Sequence, residues 1–184
     1  MVKLSKAKMG ILEFLWRINR PASLREISDG VGVKIRCVNM HIINLRRNNY
    51  VTKTGEGLYA LTDLGKEALG FPRVNKESAE RILSRVPYAL AFHFYSELDK
   101  PLMIFSDSLH DFCDKIRSLD LKSIEFHMFR GDFEAWIKSL GDVELARRLA
   151  IIRESNLSGE ELRDEIYRAV KSRCDELQNI ISSL

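Results

Sequence analysis

Residues 22–51 contain two helical patterns that follow each other closely, and this spacing restricts how the chain can fold. Ser23 and Glu26 form a capping-box pattern, which predicts the start of a short helix. The sequence GVG then indicates a tight turn, and the next apolar pattern predicts a longer helix from about Lys34 to Asn48. A short helix and a long helix joined by a tight turn predict a helix-turn-helix.

Other patterns surround this pair of helices. The segment KAKMGILEFLWRIN has a broad apolar stripe at helical spacing, which predicts a first helix before Pro21. From Tyr50, the segment YVTKTGEGLYALT has β-forming residues on both sides of a glycine-containing turn and predicts a hairpin. Thr62 is then placed to cap a short helix, DLGKEALG. The predicted order is three helices, a β-hairpin and a following helix.

This order of elements resembles the winged helix-turn-helix domain of prokaryotic transcription regulators. The resemblance covers residues 5–70 and includes the YV pair that opens the hairpin and the stretch GLYALTDLGKEAL. It implies a winged helix whose third helix contacts duplex DNA. The residues that match the turn and core positions of this family are Gly32, Val33, Val38, Ile42 and Leu45.

The core positions also predict which face of the third helix points outward. With Val38, Ile42 and Leu45 turned inward, a rotation of about 100° per residue exposes the opposite face. Arginine and lysine can contact phosphates, arginine can pair with guanine, and asparagine can pair with adenine. The third helix also lacks acidic residues, which would repel the DNA backbone. The candidate DNA-contacting residues are Lys34, Arg36, Asn39, Met40, Ile43, Arg46, Arg47 and, in the hairpin, Lys53.

Two apolar residues on this outward face leave a second interpretation open. Met40 and Ile43 cannot hydrogen-bond to bases. They can pack against thymine methyl groups, or they can belong to an interface with another protein. Ile35, at the start of the helix, is expected at the edge of the core. The alternative function is therefore a protein-docking adaptor that uses the winged-helix surface without binding DNA.

The charge of the chain is distributed unevenly, which indicates two domains. Residues 1–71 carry 12 lysines and arginines against 6 acidic residues, so 17 of the 29 basic and 20 of the 26 acidic residues lie in the rest of the 184-residue chain. A basic front half can face phosphates. We expect a winged helix-turn-helix domain over 1–71, a linker helix over 72–86 and a helical C-terminal domain over 87–184.

The sequence argues against several classes of protein. The longest apolar stretches are too short to cross a bilayer and no signal-peptide pattern is present, so we expect a cytoplasmic protein without a membrane partner. The three cysteines, Cys37, Cys113 and Cys174, are odd in number and widely spaced, which argues against a disulfide framework. Cys37 and Cys113 are expected to be small buried hydrophobic residues. No cysteine pair has metal-ligand spacing, and we expect neither a metal nor a cofactor.

The second half predicts a mostly helical α+β domain with a short β-hairpin, so the whole chain is expected to be mainly α with small β. Leu90, Phe92 and Phe94 alternate on one face of a predicted strand, and PLMIF is its predicted partner after the turn SELDK. The later segments are helical in pattern, although LKSIEFHMF is also compatible with a strand. The residues placed to cap these helices are Ser108, Asp132, Asp142 and Ser158.

Part of this half resembles a domain that is found in archaeal proteins and has no characterised function. The resemblance covers residues 86–175 and rests on the stretch SIEFHMFRGDFEAWIKSLGDVELARRLAII, with SLHDF upstream. It brings no catalytic residue with it. Trp136, within the stretch, is expected to anchor the core.

Histidines in this half raise the question of an active site. His127 has Asp132 and other carboxylates nearby in sequence, so an enzyme with a metal or acid–base site is a third hypothesis. No HxH, HxxxH or HExxH spacing and no nucleophile motif occurs, so we expect no catalytic residue and no enzyme activity. The preferred interpretation places His127 and Arg130 on a polar edge of a helix while the phenylalanines enter the core. Those phenylalanines are Phe126, Phe129 and Phe133.

The predicted final helix carries an apolar stripe that reaches the C-terminus. If Ile180, Ile181 and Leu184 are exposed, they favour a partner surface. The helix can pack either within its own domain or against a second subunit. Dimeric helix-turn-helix proteins contact two half-sites, so we expect a homodimer. The C-terminal domain is expected to dimerise, to sense an effector of unknown identity, or both.

Overall fold

The structure is a computed structural model that describes residues 4–55 and 57–183. The chain forms two compact units, Met1–Arg73 and Val74–Leu184. Both units are mainly helical and contain small antiparallel sheets, which confirms the predicted fold class. None of the described helices combines the length and the apolar content that crossing a membrane requires.

The first unit has the element order that the sequence predicts, with one additional short strand. Its elements are α1 Lys6–Ile18, β1 Ala22–Ser23, α2 Leu24–Val31, α3 Ile35–Arg47, β2 Val51–Thr54, β3 Leu58–Leu61 and α4 Asp63–Ala68. Strand β3 lies between the other two and pairs antiparallel with both. Tyr59 of β3 is opposite Ala22 of β1 on one side and opposite Lys53 of β2 on the other.

The core of the first unit is built from the helices and the sheet together. Ile11 and Leu15 of α1 belong to the same buried cluster as Val38, Ile42 and Leu45 of α3, and none of the five is more than 2 % exposed. The three α3 residues recur at the spacing of one helical face, so their burial fixes the rotation of α3 about its axis.

Hydrogen bonds from side chains set the starts of the helices in this unit. The Ser23 hydroxyl accepts a hydrogen bond from the backbone N–H of Glu26 (3.2 Å), as predicted. The Glu26 carboxylate accepts a hydrogen bond from Arg20 rather than from the backbone of Ser23, so the capping box is only half formed. Thr62 caps α4 as predicted, through the backbone N–H of Gly65 (3.1 Å).

The connection from α3 through the hairpin to α4 is closely packed. Asn49 lies just beyond α3 with φ +58°, a left-handed conformation that asparagine tolerates better than most residues. A Cβ atom on Gly65 would lie 2.3 Å from the backbone oxygen of Tyr50, so only glycine allows α4 to begin this close to the start of the hairpin. Glu56, in the predicted turn of the hairpin, lies outside the described residues.

The second unit consists of helices that pack around a two-stranded sheet. Its elements are α5 Lys76–Leu83, a 3-10 helix Tyr88–Leu90, β4 Phe92–Glu97, β5 Lys100–Ser106, α6 Leu109–Ile116, α7 Leu121–Arg130, α8 Asp132–Ser139, α9 Val143–Glu154 and α10 Gly159–Ser182. The segment LKSIEFHMF is therefore helical, within α7. Trp136 of α8 is 8 % exposed, and its indole N–H donates to the backbone oxygen of Leu90 (3.0 Å), as expected of a core anchor.

Helix α10 is central to this unit and contacts α5, α6, α7 and α9. Its residues Leu162 and Ile166 are at most 1 % exposed. Ile180 and Ile181 are partly buried and pack against the same core, so of the two predicted arrangements the structure shows packing within the unit. The chain uses these side chains within the unit because α10 has neighbouring helices on several sides. Leu184, the last residue of the predicted stripe, lies outside the described residues.

Two segments differ from their predicted roles. The linker helix predicted over 72–86 corresponds to α5, whose Ala79 and Ile82 are at most 1 % exposed in the core of the second unit. It packs there because its apolar face contacts α10. Leu90 lies in the 3-10 helix before β4 and is 63 % exposed, so only Phe92 and Phe94 share the buried face of the strand.

The predicted caps of the second unit are confirmed at two positions. Ser108 and Asp142 accept hydrogen bonds from backbone N–H groups in the first turns of α6 and α9. Ser158 occupies the N-cap position of α10 as predicted, but its side chain makes no capping hydrogen bond. The backbone N–H of Gly159 donates to the Glu125 carboxylate instead (2.9 Å), and a side chain from α7 thus supplies the acceptor at the start of α10.

The cysteines Cys37, Cys113 and Cys174 differ in burial. Cys113 and Cys174 are 4 % and 3 % exposed. Burial raises the pKa of Cys113 to about 11 and that of Cys174 to about 12, so both thiols stay protonated at neutral pH. Cys37 is only partly buried, because it lies on α3 beside the inward face.

A buried ion-pair cluster joins α10 to the start of α9. Arg173 is 3 % exposed and binds Asp142 with two hydrogen bonds (2.7 and 3.2 Å) and Glu144 with one (2.9 Å). Both carboxylates are also buried. Burial lowers the pKa of Arg173, but Asp142 and Glu144 raise it by more, and the net pKa lies above the ordinary arginine value. The guanidinium therefore stays charged and compensates two buried anions.

We expect Arg173→Met to lower the free energy of unfolding of the second unit by about 3–5 kcal/mol, because it leaves Asp142 buried without its cation and leaves Glu144 with Arg148 alone. The measurement is urea denaturation followed by tryptophan fluorescence in a Trp16→Phe background, in which Trp136 reports the second unit alone.

The matched control is Arg168→Met on the same helix. The Arg168 side chain is 65 % exposed and pairs with Glu165 at the surface, so the expected change is below about 1 kcal/mol. Equal effects of the two substitutions would contradict a stabilising role for the buried cluster.

Candidate nucleic-acid interface

Helix α3 presents two opposite faces with different chemistry. Val38, Ile42 and Leu45 are fully buried. On the other side, Met40 is 62 % exposed and Ile43 is 41 % exposed. The rotation predicted from the core positions is therefore the rotation that the structure has.

The cations predicted on this face are exposed together. Lys34 precedes α3, Arg36 lies in its first turn, and Arg46 and Arg47 lie in its last turn. Among residues 4–55 and 57–183, none of these four forms an ion pair, although Asp29 lines the same concavity as Lys34 and Arg36. Asn39 and Lys53, the remaining polar residues of the predicted set, are exposed as well.

The apolar part of the face is larger than predicted. Ile35 is 47 % exposed, so the expectation that it lies at the edge of the core is wrong. It stands in the first turn of α3, before the buried spacing begins at Val38, and therefore projects beyond the core of the unit. With Met40 and Ile43 it gives the helix three exposed apolar side chains.

The structure places two further cations near this face that the sequence pattern did not identify. The Lys8 ammonium of α1 donates to the side-chain oxygen of Asn44 on the flank of α3 (2.6 Å). Arg25 of α2 lines a concavity of about 580 Å³ at the start of α3, together with Lys34 and Arg36. Both come from neighbouring helices, so a pattern read along α3 alone could not reveal them.

His127 in the second unit is placed differently from the predicted polar edge. It is 3 % exposed, and its Nε2 accepts a hydrogen bond from the backbone N–H of Tyr95 (2.8 Å). Its Nδ1 lies 2.8 Å from the Asp132 carboxylate, which also accepts a hydrogen bond from Arg130 (3.0 Å). Because Nε2 is the acceptor, the proton of neutral His127 is on Nδ1 and is donated to Asp132.

Two further predictions for this region are wrong because His127 is buried and bound to Asp132. Asp132 does not cap α8 with its side chain, because its carboxylate is turned toward His127 and the cap position is Gly131. Phe129 is 54 % exposed rather than buried. Helix α7 is thus rotated so that His127 faces β4 and Phe129 faces outward.

The surroundings of His127 favour its neutral form. Burial lowers its pKa below the ordinary value of 6.5, and this effect exceeds the opposing effect of Asp132. Protonation would also place a hydrogen on Nε2 and break the bond from Tyr95. Both ring nitrogens are therefore occupied, Nε2 by the Tyr95 N–H of β4 and Nδ1 by Asp132 at the start of α8, and a proton transfer at Nε2 would first require the bond from Tyr95 to open. No group of three or more potential metal ligands forms among the described residues.

The neutral state of His127 predicts a pH dependence of stability. In the unfolded chain the imidazole takes up a proton near pH 6.5, whereas the folded pKa is lower, so the stabilisation is complete above about pH 6.5 and is lost as the pH falls through the folded pKa. We expect the unfolding free energy of the second unit to fall more steeply with decreasing pH in the wild type than in His127→Gln, whose neutral amide does not titrate. The measurement is urea denaturation at a series of pH values, and parallel curves would refute a titration at His127.

Comparison with known proteins adds one finding. Residues 75–171 match the model of a family of unknown function, DUF5752, and the match runs from the residue before α5 into α10. The predicted resemblance of residues 86–175 to a domain of uncharacterised function lies largely within this range. The resemblance of residues 5–70 to winged helix-turn-helix regulators stays a prediction. No curated protein and no solved structure matches the chain. Since the match covers more than half of its 184 residues, the chain belongs to the DUF5752 family of unknown function.

Proposed function

We propose that the chain is a cytoplasmic DNA-binding transcriptional regulator whose helix α3 contacts the major groove of duplex DNA. The observation that carries this proposal is the exposed face of α3, which has cations at both ends and no acidic residue. The element order of the first unit supports it, because it matches the winged helix-turn-helix order on which the resemblance to prokaryotic regulators rests.

The spacing of Arg36 and Arg47, in the first and last turns of α3, suits the major groove of DNA. Arg36 and Arg47 are separated by three helical turns, so they project from the same side of α3. At a rise of 1.5 Å per residue they lie about 16 Å apart along the axis. With α3 in the groove, the two arginines would contact phosphates at separate points of the DNA backbone.

The residues between the arginines would meet base edges. Met40 and Ile43 lie on the same side of α3 as Arg36 and Arg47, and their apolar side chains fit against thymine methyl groups. Asn39 is exposed beside them and can pair with adenine. The preferred sites would accordingly be rich in A·T pairs at the centre of the contact.

The remaining cations would contribute to affinity rather than to sequence preference. Lys34 and Arg25 border the start of α3, where backbone N–H groups without a side-chain cap also favour a phosphate. Lys53 of β2 would contact the backbone from the hairpin, and Arg46 would do so from the end of α3. A homodimer would place two copies of α3 on two half-sites, and the second unit would serve dimerisation or effector binding.

We expect Arg36→Ala and Arg47→Ala each to weaken binding to duplex DNA by about tenfold, because each removes a phosphate contact, and to reduce the salt dependence by about one unit of slope in log K against log salt. The measurement is fluorescence anisotropy with DNA from upstream of the protein's own gene, at several salt concentrations.

The matched control is Arg17→Ala, which removes the same charge from α1, where Arg17 pairs with Glu13. Unchanged affinity in both α3 variants would refute the proposed contact. An equal loss of affinity in Arg17→Ala would show that net charge, and not the position of the arginine, determines binding.

The alternative function is a protein-docking adaptor, which an exposed apolar side chain such as Met40 also suits. Met40→Gln separates the two functions. In a regulator this variant retains phosphate-driven affinity and loses preference for sites with thymine at the contact. In an adaptor the wild type has no measurable affinity for duplex DNA even at low salt, and Met40→Gln abolishes capture of a protein partner.

A further inference from the structure

A concavity of about 300 Å³ lies in the second unit between β4 and α7. Its volume is at the lower end of the range for small-molecule sites, which runs from about 300 to 1,000 Å³. Its lining includes the aromatic rings of Phe92, Tyr95 and Phe126 and the charged side chains of Asp99, Arg130 and Asp132.

Arg130 is held in position although its side chain is half exposed. Its guanidinium carbon lies 5.0 Å from the ring centre of Phe126, and its Nε donates to the Asp132 carboxylate (3.0 Å). These two contacts fix the plane of the guanidinium. Its two terminal nitrogens make no hydrogen bond to any residue within 4–55 and 57–183. A fixed guanidinium with a free terminal edge suits bidentate binding of a carboxylate.

The two carboxylates that line this site favour a ligand that also carries a cationic or hydrogen-bond-donating group. Both recorded bonds to Asp132, from His127 and Arg130, involve Oδ2, so Oδ1 is available as an acceptor. Asp99 lies in the turn between β4 and β5 and also lines the concavity, and among the described residues it pairs with no cation. A simple anion would meet two negative charges here against one positive charge.

A ligand that carries both charges matches this arrangement. A carboxylate can bind Arg130, an adjacent ammonium group can lie toward Asp132 and Asp99, and an apolar ring can pack against Tyr95 and Phe126. Phe92, which is 7 % exposed, adds a further apolar surface to the lining. We propose that the second unit binds a free aromatic α-amino acid in this concavity.

That the amino acid acts as an effector rests on the proposed function of the chain as a regulator. Binding itself depends on the second unit, so it can be measured on the full chain without DNA. Loss of DNA binding and loss of ligand binding are therefore distinguishable outcomes.

The test is isothermal titration of the full chain with L-phenylalanine, L-tyrosine and L-tryptophan. Two analogues serve as probes of the charges: 3-phenylpropionate, which lacks the ammonium group, and phenethylamine, which lacks the carboxylate. We expect at least one amino acid to bind saturably, and each analogue of the phenylalanine skeleton to bind about tenfold more weakly than L-phenylalanine, because each loses one ionic contact.

Two variants locate the site. Arg130→Gln is expected to weaken the amino acid about tenfold or more while leaving phenethylamine unchanged, and Asp99→Asn is expected to weaken the amino acid and phenethylamine but not 3-phenylpropionate. Arg168→Gln, at an exposed arginine of α10, is the control and should bind as the wild type does. The proposal is overturned if no amino acid binds at concentrations up to about 5 mM, or if Arg130→Gln and Arg168→Gln bind the amino acid equally.

Discussion

The burial of Val38, Ile42 and Leu45 fixes the rotation of α3, and the surface of the first unit depends on that rotation. Turning the helix by one residue would move all three side chains off the core, at a cost of about 1.5–3 kcal/mol for each side chain exposed. The opposite face is therefore set by packing rather than by any contact of its own. Arg36 and Arg47 are therefore exposed, and able to contact DNA as proposed, because of buried residues that do not themselves contact DNA.

In the second unit, hydrogen bonds between distant segments, rather than packing alone, fix how a helix is rotated. Nε2 of His127 accepts the Tyr95 N–H at the edge of β4, and Nδ1 donates to Asp132 at the start of α8. One imidazole thus joins a strand to two successive helices. The same contacts leave Arg130 beside Asp132 and over the ring of Phe126, which creates the charged side of the proposed amino-acid site.

These two cases show how far sequence reasoning extends. The helices, the hairpin and the inward face of α3 were predictable because their signals are local: caps such as Ser23 and Thr62, and apolar residues at helical spacing. The orientation of α7 was not predictable, because His127 and Phe129 compete for the interior and hydrophobicity alone favours phenylalanine. Only the tertiary fold supplies the Tyr95 N–H, 32 residues away, that makes a buried histidine favourable.

The proposed function depends on contact between DNA and the chain through α3 and the adjoining hairpin strand. Hydrogen exchange of the full chain with and without duplex DNA from upstream of its own gene tests it directly, because protection is mapped by segment without any substitution. The account predicts slower exchange over residues 34–54 on binding, with α9 unchanged as an internal reference. Binding of the duplex with protection confined to the second unit, or with no protection over 34–54, would contradict it.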